Sequence, residues 1–240
     1  MKKILSIILP TYREKENIPL LADRIDPVLR RAGIPYEMVV VDDNSNDDIF
    51  ETVENLKDRY PINLIVRIAK KRDLSWSVIE GLSHANGDIL LVMDADLSHP
   101  PEKIPEMIHP LITDTADFVI GSRFVSGGKT DHFDFYRKLN ARISRFLARP
   151  FTEVKDPMAG FFAFHRRLMS DMDRLNPIGY KIGLELLVKY QPERILEIPI
   201  IFQKRIYGKS KMNLREQLLY LVHICRLFHY KFVFPGFKWQ

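Results

Sequence analysis

The chain contains one cysteine, Cys225, in 240 residues, so it forms no intramolecular disulfide and no thiolate-ligated zinc site. No run of residues reaches the roughly 20 apolar positions needed to cross a bilayer. Glycine is absent between Met1 and Arg31. A dinucleotide-binding domain would carry its Gly-rich turn there, straight after the first strand, so the absence argues strongly against an NAD enzyme. Repeats, low-complexity tracts and Gly/Ser linkers are also missing. A net charge of +5 favours anionic partners without naming them. What the chain does have is apolar content, at 46%, which is ample for one large domain with a real core.

The opening segment MKKILSIILPTYRE places two lysines before a short apolar stretch. That stretch stops at Pro10 with no small-residue cleavage site, so it reads as a first strand rather than a signal peptide. Strands and helices then alternate: strand Ile4–Leu9, helix Ile18–Arg31, strand Glu37–Val41, helix Ile49–Arg59, strand Asn63–Ile68. Helix Trp76–Ala85, strand Ile89–Met93, helix Pro101–Ile112 and strand Phe118–Ile120 continue the pattern. Such alternation specifies an α/β fold, a mostly parallel, doubly wound sheet with helices on both faces. After Gly121 charges and aromatics interleave, and the expected elements are helix 135–149, strand 161–164, helix 180–190, strand 194–201 and helix 212–230.

The segment ILLVMDADLSHPPE, residues 89–102, concentrates the chemistry. A buried aliphatic strand ends in Asp94 and Asp96, separated only by Ala95. In open α/β sheets ligands collect at the carboxyl ends of strands, and two acids at i, i+2 can share one hard divalent cation while substrate phosphates fill its other positions. Acids in strand–helix loops also serve as helix caps, and a second catalytic reading makes Asp94 an aspartyl-phosphate nucleophile. The position of DADLSH after a late strand, not the first, disfavours the nucleophile. The second strand likewise ends in acids, VVVDDNSNDD at residues 39–48, suited to ribose hydroxyls or a base edge, although the later members fit turn-capping roles.

Taken together, PTYREKENI (10–18), VVVDDNSNDD, IEGLSHANGD and VMDADLSHPPE resemble the GT-A-type inverting glycosyltransferases of family 2. DFVIGSRFVSGG (117–128), FYRKLN (135–140), DPMAGFFAF (156–164), NPIGYKIGLELL (176–187) and EIPIIFQKRIYGKSKM (197–212) extend the likeness to the dolichyl-phosphate mannose synthase group and its polyprenyl-phosphate relatives. The ordered blocks cover residues 4 to 215.

The resemblance implies a GT-A fold with residues 1–121 as a nucleotide-binding half, 122–212 as an acceptor half, and 213–240 as a C-terminal interfacial or partner-contacting helix. It implies inverting transfer of mannose from GDP-mannose to dolichyl or polyprenyl phosphate, with Mg²⁺ or Mn²⁺. Pro10, Tyr12 and Glu14 would lie along the nucleotide, with Val41 and Asp43 at its base and ribose. Asp94, Ala95 and Asp96 would engage the diphosphate and metal, with Ser98 standing where close relatives have a glutamine ligand. Arg123 and Arg137 would hold the acceptor phosphate, and Arg205 and Lys211 the donor. Asp94, Asp96 and Arg123 form the implied catalytic set. Another departure is Asp73-Leu74, where relatives commonly have Gly-Leu, in a loop that the resemblance puts near the donor.

An acceptor phosphate is already anionic, so no strong general base is required, and arginine forks with a divalent metal offset the repulsion between the two substrates. Rival readings keep this chemistry with another donor such as UDP-glucose, or direct it to a glycan hydroxyl through a general-base carboxylate. A non-catalytic nucleotide-binding subunit is disfavoured by the intact acid pair. Lys138, Arg142, Arg145 and Arg149 form a basic stripe beside the apolar stripe Leu139, Ile143, Phe146 and Leu147, as expected of a helix on an anionic membrane surface. The C-terminal stretch is apolar but broken by His223, Arg226, His229 and Lys231, so it suits an interface or subunit contact better than a span. Cys225 is expected in a core or interface. The expected location is peripheral, on the cytoplasmic face of a membrane, with a membrane-anchoring subunit as a candidate partner and nucleic acid not among the partners.

Overall fold

A computed structural model describes residues 3–69, 71–130, 133–169, 171–205 and 214–233. Its sheet contains β1 (Leu5–Thr11), β2 (Tyr36–Asp42), β3 (Ile62–Val66), β4 (Ile89–Val92), β5 (Phe118–Ser122), β6 (Phe162–His165) and β7 (Ile195–Pro199), in the order β3-β2-β1-β4-β6-β5-β7. All pairings are parallel except those of β6, which runs antiparallel between β4 and β5. Every residue of β1 is buried because β2 and β4 flank it and helices cover both faces.

The chain leaves β1 toward β2 and β3, then crosses back to place β4 on the other side of β1. That reversal opens a crevice at the carboxyl ends of β1 and β4. Asp94 and Asp96 follow β4 at this point.

The helices are α1 (Asn17–Ala32), α2 (Ile49–Glu54), α3 (Leu74–His84), α4 (Ile104–Ile112), α5 (Phe135–Ala148), α6 (Ile182–Tyr190) and α7 (Leu214–Phe228). In α1 the buried Ile18, Leu21, Ala22, Ile25 and Leu29 recur at helical spacing. Gly33, at φ 65°, ends it by donating its N–H back to the Arg30 carbonyl. One core lies under α1, α2 and α4; a second, built on Ile8, Val39, Val41 and Phe162, lies under α3 and α6. A smaller cluster joins Ala148 of α5, Phe151 just after it, Leu184 of α6, and Tyr220 and Leu227 of α7.

Several boundaries differ from expectation. Helix α2 stops at Glu54 because Leu56 and Lys57 donate three residues back, and Pro61 bars helical backbone before it. The expected helix at 101–112 opens with a tight turn, Pro101–Lys103. Helix α6 starts at Ile182, not 180, because Gly179 turns at φ 78° and Lys181 is non-helical. Helix α7 passes into a wider helical turn over His229–Val233. Cys225 faces solvent rather than a core.

Candidate active site

Between Asp94 and His99 the chain makes a tight, over-determined turn. Leu97 is buried at φ 63°, a left-handed conformation that costs a leucine about 1–2 kcal/mol. The gain is geometric: Ser98 turns both its N–H (3.0 Å) and its hydroxyl (2.5 Å) onto Asp96 Oδ1. Asp96 Oδ2 meets the Arg205 guanidinium at 2.6 Å. Asp96 is thus buried, oriented and charge-compensated.

Asp94 differs. Among the described residues no N–H or O–H is directed at its carboxylate, and burial, with the Asp96 charge added, pushes its pKa above the ordinary carboxylate value. Its backbone N–H donates to His99 Nδ1 at 3.0 Å. His99 is buried and stacked on Phe161 (5.2 Å between centroids), with Phe202 edge-on at 5.4 Å. Burial lowers the pKa of its imidazole, and an accepting Nδ1 leaves the proton on Nε2. His99 is therefore a neutral brace for the Asp94 backbone. A desolvated carboxylate without donors beside a second carboxylate, rimmed by oxygen atoms, fits a hard divalent cation. Asp94, Asp96 and the adjoining Ser98 hydroxyl make up that donor set, and Ala95 between the acids is buried.

On the far side of the crevice Arg123 follows β5. Its backbone N–H, Nε and Nη2 all bond the buried Asp156, at 2.9, 2.8 and 2.8 Å. Asp156 is fixed in turn by Glu197 of β7, which accepts from the N–H groups of Lys155 (2.8 Å) and Asp156 (3.0 Å). Phe124, Phe133 and Phe202 have their ring centroids 5.4 to 5.8 Å from the Arg123 guanidinium.

Arg137 projects from α5, whose N-cap Asp134 accepts the Arg137 N–H at 2.8 Å. Its guanidinium stacks over Phe133 at 4.3 Å, and its Nε is buried without a hydrogen-bond acceptor. Burial, then the neighbouring Arg205 charge, lower its pKa, and Arg123 and Asp96 also lie within its field. The structure therefore brings Asp94, Asp96, Arg123, Arg137 and Arg205 to one place.

The remaining expected residues lie at the ends of β1 and β2. Tyr12 lies under Arg72 (4.4 Å) and Arg13 (5.3 Å), and Glu14 accepts from the Asn17 side chain at 2.5 Å. Asp43 is buried, pairing with Arg67 at 2.7 Å and accepting the Asp73 N–H at 2.8 Å. Pro10 and Val41 are buried strand residues, and Val41 packs so near α3 that a Cβ on Gly81 would lie 2.8 Å from its Cγ2. Lys211 lies outside the described residues. Asp73 caps α3, accepting from Ser75 and Trp76, and its other oxygen takes the Gly179 N–H at 3.0 Å. The departure from glycine at this position thus clamps α3 to the turn before α6.

His99 and Asp156 were not singled out from sequence. Each stood inside a recognised block, yet its role depends on contacts that only the fold creates.

An open sheet reversing at β1 and β4, with an acid pair at the crevice and guanidinia facing it, defines the nucleotide-diphospho-sugar transferase type of fold. The model of the glycosyl transferase family 2 matches residues 6–172. Among curated proteins, the dolichol-phosphate mannosyltransferase of Pyrococcus furiosus is 42% identical over 92% of this chain and 63% of its own length. The chain thus spans under two thirds of that relative. The dolichol-phosphate mannosyltransferase of Saccharomyces cerevisiae is 36% identical, over 95% of this chain and 88% of its own. Among solved structures, a Mycobacterium tuberculosis glucosyl-3-phosphoglycerate synthase with Mn²⁺, UDP-glucose and phosphoglyceric acid matches with a TM-score of 0.69 at 18% identity, covering 95% of this chain and 79% of that one. The chain belongs to glycosyltransferase family 2 and has the GT-A fold.

Proposed function

We propose that the chain transfers mannose from GDP-mannose to the phosphate of a dolichyl or polyprenyl lipid, with inversion, using Mg²⁺ or Mn²⁺ held by Asp94 and Asp96 beside Ser98. The observation that carries this reading is the convergence of Arg123, Arg137 and Arg205 on the acid pair, with a buried Arg137 Nε left without an acceptor. Cations placed so close repel one another, and the arrangement is favourable only around anionic groups. The names of the curated relatives supply mannose and dolichol phosphate, and the Mn²⁺ in the solved relative supports a divalent metal.

In the reaction a lipid-phosphate oxygen attacks the anomeric carbon while the bond to the diphosphate breaks, and GDP departs with the electron pair. When bound, the metal supplies charge stabilisation on the leaving diphosphate. The residues of this chain do the rest. Arg123, locked by Asp156, and Arg137 orient the acceptor phosphate. Arg205 exchanges its bond with Asp96 for the donor phosphates, and Lys211 is assigned to the same phosphates from its motif. Tyr12, Glu14 and Asp43 border the nucleotide, with Pro10 and Val41 contributing backbone.

Transfer to a glycan hydroxyl needs a carboxylate free to take a proton. Asp156 is unsuited, since Arg123 engages both its oxygens. Among the described residues no helix is long and apolar enough to cross a membrane. Peripheral attachment at a cytoplasmic membrane face fits the exposed Phe135, Tyr136, Ile143 and Phe146 of α5 and Leu218, Leu221 and Val222 of α7, with a membrane-anchoring subunit as a further partner. Calorimetric titration with Mn²⁺ present tests the donor: GDP binds at least ten-fold more tightly than UDP, and the reverse preference would transfer the proposal to a uridine donor.

A further inference from the structure

The turn Asn176–Lys181 is carried to the crevice by contacts remote in sequence. Gly179 takes a left-handed φ of 78°, donates to Asp73 Oδ2 at 3.0 Å and accepts from the Ser75 N–H at 3.2 Å. Helix α6 then begins hard against the loop beside Asp94. A Cβ on Gly183 would lie 3.2 Å from the Ala159 carbonyl oxygen, and one on Gly160 would lie 3.3 Å from Asp94 Oδ1. The absence of a side chain at either glycine is what lets the start of α6 approach the Ala159 carbonyl, and Gly160 the Asp94 carboxylate, so closely.

Lys181, the residue before α6, is thereby delivered to the acceptor side of the crevice. Its electrostatic neighbours are Arg123, Asp156 and Asp94. Its ammonium sits 4.1 Å from the centroid of the Tyr180 ring, and among the described residues it makes no hydrogen bond or ion pair. Asp156 is already committed to Arg123. Removal from water, with the Arg123 charge adding to it, pushes the Lys181 pKa down to about 7. Lys181 is partly buried, and an amine held beside a guanidinium is unfavourable by itself. An anion entering the crevice would relieve both cations at once.

We propose that Lys181 is a substrate-contacting residue that, together with Arg123, binds the phosphate of the acceptor. This rests on the reading of the acceptor as a lipid phosphate. Arg123 and Asp156, with Asp94, are the charged groups that act on Lys181, whereas Asp96 and Arg205 pair with each other.

The test uses the full chain with GDP-mannose, Mn²⁺ and citronellyl phosphate in detergent as a short acceptor. Lys181→Met is expected to raise the acceptor KM about 10- to 100-fold, the value of a lost charge-assisted hydrogen bond, with GDP affinity within two-fold of wild type. Lys181→Arg is expected to restore the acceptor KM, which a purely structural role for the amine would not do. Lys181→Gln provides the same loss of charge should the methionine variant not fold. An acceptor KM within two-fold of wild type, or an equal loss of GDP affinity, would overturn the assignment while leaving the lipid-phosphate reading intact. Wild-type protein that transfers nothing to citronellyl phosphate would overturn both.

Discussion

Replacing Asp156 by asparagine removes the charge that holds Arg123 in its working position. The Asp156 side chain is 0% exposed and that of Arg123 13%, so the guanidinium cannot recover its lost partner from water. Removing one partner of a buried ion pair costs about 3–5 kcal/mol. Asparagine keeps one acceptor oxygen, which places Asp156→Asn at the lower end, about 3 kcal/mol. For a chain of this size that lowers Tm by about 6–12 °C. Activity falls further than stability requires, because an arginine displaced by about 1 Å costs on the order of 100-fold in rate. The double variant Arg123→Met, Asp156→Met separates the two effects. Stability largely returns when both buried charges are removed, and transfer does not. Scanning calorimetry and the transfer assay give the readouts. An Asp156→Asn protein melting within 1 °C of wild type, with unchanged acceptor KM, would refute the idea that this pair positions Arg123.

Asp96→Ala abolishes transfer while the protein still folds, which circular dichroism and the transfer assay check; near-normal activity would remove the metal role. Ser98→Ala strips the hydroxyl that orients Asp96 Oδ1 and weakens Mn²⁺ binding about 10- to 100-fold, measured by metal titration of the GDP complex. Asp117, hydrogen-bonded first by Arg194 and also by Arg167, has its pKa held well below the usual carboxylate range. A carboxylate depressed in the folded state stabilises fully above its unfolded pKa, about 3.9, and that contribution is lost as pH falls toward the folded value. Urea unfolding between pH 6 and 3 is therefore steeper in pH for wild type than for Asp117→Asn, and parallel profiles would contradict it.

Most of the sheet was legible because its strands are short aliphatic runs bounded by turn residues, and their mostly parallel pairing follows from strand–helix alternation; the order of the strands in the sheet was not read. The direction of β6 was not, since Phe162–His165 carries no mark of orientation until it pairs between β4 and β5. In the site, Asp94, Asp96, Arg123, Arg137 and Arg205 could be named from their motifs. The roles of His99 and Asp156 could not, because each depends on what folding sets beside it: the Asp94 N–H and the Arg123 fork; nor could the position of Lys181, which follows from the bond between Asp73 and Gly179. The buried Glu185–His223 bond at 2.9 Å that ties α6 to α7 escaped for the same reason, as its partners are remote in sequence. Cys225 shows the converse: an apolar helical neighbourhood suggested a core or interface position, and α7 turns it outward, away from the core.

The most direct test incubates the protein with a panel of labelled sugar nucleotides, polyprenyl phosphate and Mn²⁺, then extracts the lipid. The account predicts label in the organic phase from GDP-mannose, and little from UDP-glucose. An organic phase without label from any donor would contradict it.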